Sequence, residues 1–153
     1  MDEPTGLSAT LRPLFRYWVA ARGEKHMPAR ADIDPVEMPI RLLPNLVLVD
    51  VVSEPLRFRY RVMGTTVARM LGEDWTGQFL HQIADVHESV RQQYQATAEN
   101  RKPTVKMSEY DRYDPSLMQH KLLRYERLLM PLSENGDNVT MLLGGTVERP
   151  TVW

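Results

Sequence analysis

The chain contains no cysteine. That absence excludes disulfides, thiolate zinc sites, thiolate-held iron–sulfur clusters, cysteine nucleophiles and any chromophore held through a cysteinyl adduct or thioester. An excess of one charge is missing too, with 19 Lys and Arg against 20 Asp and Glu, a net charge of −1, and the two signs interleaved along the chain. No broad basic surface is therefore offered to a phosphate backbone, and nucleic acid is not an expected partner. No apolar run approaches the roughly 20 residues that span a bilayer. The N-terminus opens with Met1-Asp2-Glu3-Pro4 rather than a basic segment leading into an apolar one, so the expectation is a cytoplasmic protein without membrane insertion.

What is present suits one domain: 153 residues, 42% hydrophobic and 25% charged, enough apolar content to bury a core. Leu7, Leu11, Leu14, Phe15, Trp18 and Val19 recur at three- and four-residue spacings, predicting an amphipathic helix over 7–22 that ends near Gly23. Two readings of that stripe stand: packing on its own domain, or a homodimer or partner contact through Leu7, Leu11, Leu14, Phe15 and Trp18. Residues 24–44, punctuated by Pro28, Pro35, Pro39 and Pro44, read as an ordered connector with at most one helical turn over 36–43. The expected division is a helix over 1–23, this connector over 24–44 and a core over 45–149.

Within the core, 45–52 and 56–62 read as a strand hairpin. Leu56, Phe58, Tyr60 and Val62 are expected on one face and Arg57, Arg59 and Arg61 on the other. Short helices follow between Gly64, Gly72 and Gly77. A longer helix is expected from an Asp85 cap to about residue 100, with Glu88 completing a capping box. Three alternating segments, 105–112, 120–132 and 138–148, complete a five-stranded antiparallel sheet with short helices over one face, an α+β fold.

This order, together with Trp18 and Arg22, Met27-Pro28-Ala29-Arg30-Ala31-Asp32-Ile33-Asp34-Pro35, Leu42-Leu43-Pro44, Arg59-Tyr60-Arg61-Val62-Met63-Gly64-Thr65, Trp75-Thr76-Gly77-Gln78 and Glu126-Arg127-Leu128-Leu129-Met130-Pro131-Leu132-Ser133, resembles the alphaproteobacterial single-domain PAS family. Gln78 departs from that pattern, which has a basic residue there. The resemblance implies a PAS fold and a signalling role, and it carries no catalytic residues. It also implies a small-molecule pocket between sheet and helices. Phe58, Tyr60, Thr65, Val90, Tyr94, Met107, Tyr125 and Met141 are the candidate lining, against the alternative of a filled core. Arg57, Arg59 and Arg61 read either as a paired, solvated face, with Glu24, Asp32 or Asp34 as partners, or as an anion site; Arg61, inside a family block, joins the pocket candidates.

The function this supports is a sensor that binds a small molecule and signals by protein contact, as a homodimer or through another signalling protein. The alternatives are a ligand-free interaction module and a small α+β isomerase or hydrolase with Asp85, His87 or Glu109 as base. The ligand or cofactor is not identified. His26, His81, His87 and His120 have no close metal-site spacing for a metal or haem, and the dispersed glycines form no phosphate cradle for a noncovalent flavin.

Overall fold

Helix α1 (Arg12–Arg22) starts five residues later than the apolar spacing predicts. Residues 9–11 form a turn instead, with the Ser8 hydroxyl accepting from the Leu11 amide and Pro13 in the first helical turn, where a missing N–H costs nothing. Gly23, at φ 57°, ends the helix as expected. The computed structural model describes residues 1–149, the side chains of Tyr110 and Arg112 aside.

Five strands follow: β1 (Leu46–Val52), β2 (Arg57–Met63), β3 (Thr104–Asp114), β4 (Gln119–Leu132) and β5 (Met141–Glu148). They form one antiparallel sheet in the order β2-β1-β5-β4-β3. Helices α2 (Thr65–Leu71) and α3 (Glu88–Asn100) and a short 3-10 turn at Leu80–Gln82 carry the chain from β2 to β3. This is the expected α+β architecture.

The sheet is covered on both faces. On one side Leu7, Leu11, Leu14, Phe15 and Trp18 join Met27, Ile33, Met38 and Leu42 of the connector over Leu128, Met130 and Leu132 of β4 and Leu143 and Val147 of β5. The apolar stripe is thus taken up inside its own domain, with five of its six side chains buried and Val19 half-buried. On the other side Val47, Val49, Phe58, Tyr60, Leu129 and Leu142 meet Val67, Leu80, Val90 and Tyr94. Double coverage explains why β4 from Tyr125 onward, and β5 up to Val147, are buried without alternation.

Two adjacent glycines in β5 serve the two faces. A Cβ on Gly145 would collide with Leu14 and crowd Leu11, and one on Gly144 would press on Val47 and Leu129. Each layer can close on the sheet only because those side chains are absent.

Three expectations are corrected. The alternation in β2 breaks at Arg61, where a bulge puts Leu48 opposite Val62 but Val49 opposite Tyr60. The extra residue flips the phase, so Met63 turns inward and Val62 outward. The arginine face does not pair with Glu24, Asp32 or Asp34. Instead Arg59 Nη2 and Arg61 Nε both donate to Asp50 of the neighbouring strand, at 3.1 and 3.0 Å. Finally, α3 is capped by His87, whose Nδ1 accepts from the Ser89 amide, and not by Asp85, which sits at φ 61° in the preceding turn.

Because both arginines remain about half exposed, Asp50→Asn should cost only about 1 kcal/mol, measured by urea denaturation. That cost should shrink as salt is raised, since the pairs are open to screening.

Candidate functional site

Where α2, α3 and the turn before α3 stand off the sheet, they leave a cavity of about 750 Å³. Its apolar wall comes from Val47, Met63, Val67, Leu71, Trp75 and Val90. Period two on β4 sends Tyr125, Arg127 and Leu129 toward this side, while Glu126, Leu128 and Met130 face α1. Tyr125 and Arg127 line the cavity, and Arg127 is only 5% exposed.

A polar group is built around that arginine. Arg127 Nη1 donates to Gln93 Oε1 at 2.8 Å, and Nη2 donates to the Tyr125 hydroxyl at 3.0 Å. Gln93 in turn donates through Nε2 to the Arg127 carbonyl and to the Thr104 hydroxyl, both at 3.1 Å, fixing α3 to β4 and β3. The guanidinium also lies 5.2 Å from the centre of the Tyr125 ring. Tyr60 and Tyr94 share a hydroxyl–hydroxyl bond of 2.7 Å, with their rings edge to face. Trp75 packs edge-on against Tyr60 and holds that ring in place.

Burial pushes the Tyr60 phenol well above its ordinary value of 10.0, and the Tyr94 hydroxyl beside it adds to the rise while Arg127 opposes it. Tyr94 is raised as well, again chiefly by burial. Both hydroxyls therefore keep their protons at neutral pH. The folded state holds these protons where the unfolded chain, titrating near 10, gives them up, so the contribution to stability is present below about pH 10 and is lost as pH rises toward the raised folded values. Denaturation between about pH 8 and 11 should show stability falling above about pH 10, and Tyr60→Phe should make that fall shallower.

The mouth has another character. Glu73, Asp85, His87, Glu109 and Asp111 line it, and all are exposed. Asp111 holds His120 at 3.0 Å, and Glu73 accepts from the Trp75 indole at 2.8 Å. The three candidate bases Asp85, His87 and Glu109 are thus gathered at the rim, away from the buried polar group.

Of the pocket candidates, Tyr60, Val90, Tyr94, Met107 and Tyr125 line the cavity. Phe58 packs edge-on against Tyr94 without lining it. Arg61 pairs with Asp50 beyond the sheet, Thr65 is exposed at the start of α2, and Met141 is buried in the layer under α1. Sequence reasoning missed Arg127 and Gln93. The signal for Arg127 was its position two residues from Tyr125 in an alternating strand. Among the described residues, no group of three or more His, Asp or Glu is placed to hold a metal ion. Nor is any described helix long and apolar enough to cross a membrane.

An antiparallel α+β sheet enclosing a chamber of small-molecule size beneath short helices defines the class. A family model described as PAS domain matches residues 7–147, and the chain belongs to that family. PAS domains are typically sensory and non-enzymatic, and usually bind small-molecule ligands or cofactors for signalling. Among solved structures the chain is similar to a Rhodobacter sphaeroides LOV protein, at 18% identity and a TM-score of 0.48, covering 67% of this chain and 57% of that one. It is also similar to an RNA-binding light-oxygen-voltage receptor, at 14% identity and a TM-score of 0.47, covering 97% of this chain and 36% of that one. The light-state Aureochrome1 LOV structure gives 10% identity and a TM-score of 0.46, covering 72% of this chain and 84% of that one. No curated protein matches.

Proposed function

We propose that this PAS domain is a sensor that binds a small molecule in the cavity between β4, α2 and α3 and passes the change on by protein contact. The observation that carries this reading is the buried Arg127, Tyr125 and Gln93 group set into the wall of a cavity of about 750 Å³. A core with no ligand to hold would fill such a space with apolar side chains. The test is native mass spectrometry of freshly purified protein against its denatured mass, paired with thermal shift across a small-molecule library. A reproducible added mass, or a concentration-dependent rise in Tm, supports the reading. Bare protein with no shift across the library overturns it.

One further observation favours a second reading, a ligand-free module that pairs with a second copy of this chain. At the β3–β4 hairpin tip, Leu117, Met118 and Leu122 are 56%, 81% and 53% exposed. Sedimentation velocity separates the two. Self-association abolished by Met118→Glu, without any bound ligand, supports the second reading, and a monomer at all concentrations removes it.

A further inference from the structure

Resting on the reading of the cavity as a ligand site, we infer that its ligand is an organic carboxylate whose acid group is held at the inner end by Arg127 and whose body is apolar or aromatic. The argument is one of charge and hydrogen-bond supply. A guanidinium carries five N–H donors and no acceptor. Two of Arg127's have acceptors among the described residues, and both acceptors are neutral. No described carboxylate forms an ion pair with it. A cation so deeply buried is costly unless a counter-charge meets it.

The neighbouring hydroxyls tip the balance the same way. Tyr125 accepts from Arg127, which leaves its own hydrogen to donate. The Tyr60–Tyr94 pair uses one of its two hydrogens internally and keeps the other. The inner end of the cavity is therefore rich in donors and poor in acceptors. A carboxylate offers acceptors only and matches the planar guanidinium fork.

The acidic rim fixes the direction. Glu73, Asp85, Glu109 and Asp111 repel a second negative charge at the mouth, so the ligand's outer end is neutral or cationic. Their exposure leaves them screened by solvent and unable to neutralise the buried arginine. Between the two ends, Trp75, Met63, Val67 and Val90 supply the surface for an apolar body.

The test is calorimetric titration of the full chain with naphthaleneacetate and its neutral counterpart naphthaleneacetamide, and with phenylbutyrate and phenylbutyramide. For at least one pair the acid should bind about tenfold or more tightly than the amide. In Arg127→Gln that preference should fall to less than about threefold while amide binding persists, and Arg127→Lys should restore part of it. Equal binding of acid and amide by the native protein overturns the inference and leaves the cavity reading standing. An acid preference that survives unchanged in a folded Arg127→Gln protein also overturns it. If no member of either pair binds, the inference is lost, and bare protein in the native mass spectrum with no thermal shift across the library would take the cavity reading with it. Should Arg127→Gln fail to fold, the native comparison and Arg127→Lys decide.

Discussion

Trp18→Ala is expected to cost about 4 kcal/mol, the largest loss for any single side chain on the α1 side of the sheet. Trp18 is fully buried, stacks beside Phe15 and donates its indole N–H to the Pro131 carbonyl at 3.0 Å. Pro131 explains why that bond matters. It pairs with Leu142 of β5, while β3 reaches along β4 only as far as Leu129. A proline is tolerated there because no ladder bond is asked of its nitrogen, and the indole satisfies its carbonyl in place of a strand. Trp18→Phe keeps most of the ring volume and loses the hydrogen bond, so it should cost about 1–2 kcal/mol. Urea melts of the two variants separate packing from bonding: a Phe variant as damaged as the Ala variant would mean that the indole bond dominates.

Gly64→Ala should be nearly as damaging, at about 3 kcal/mol, although it adds a single methyl group. Gly64 joins β2 to α2 with ordinary φ, and its amide donates to the Leu46 carbonyl at 2.7 Å. A Cβ there would drive into the Pro44 carbonyl, which is backbone and has no rotamer with which to yield. The strain would spread to α2, whose Val67 and Leu71 wall the cavity. Thermal unfolding should therefore show a Tm lower by roughly 6–12 °C. Restored stability in a Gly64→Ala protein whose connector is also shortened at Pro44 would identify the collision as the cause, and a native-like Tm for Gly64→Ala alone would refute it.

The sheet was legible in the sequence because alternation and turn residues mark strands wherever one face differs from the other. It became less legible where local geometry departed from period two. Arg59 and Arg61 alternate correctly, but the bulge at Arg61 is a property of the β1–β2 pairing, and no composition signal announces it. The start of α3 was misplaced for a similar reason: Asp85 and Glu88 have the spacing of a capping box, yet the chain turns through positive φ at Asp85 and an imidazole does the capping. The candidate site was half visible. Tyr60, Tyr94 and Tyr125 are conspicuous as aromatics with hydroxyls. Arg127 looks in sequence like any charged residue in an alternating strand, and only the burial of β4 on both faces puts it in the interior. Gln93 was hidden on a helix whose polar residues mostly face solvent, and its contacts with Thr104 and Arg127 exist only after α3 docks.

β4 also binds the two sides of the molecule into one mechanical part. Arg127 faces the cavity, and the preceding residue, Glu126, faces the opposite layer, where its buried carboxylate accepts the Ser8 amide at 2.9 Å just ahead of α1. One strand step, about 3.4 Å, separates them. A rotation of the strand that re-aims the guanidinium swings the carboxylate through the same angle, and with it the anchor of the N-terminal segment. Among the described residues the second carboxylate oxygen of Glu126 has no hydrogen-bond partner, so within them the anchor is held by a single bond. The lever arm between the chamber and the far side of the sheet is thus one peptide unit long, and no chain of relaying side chains is needed to cross it.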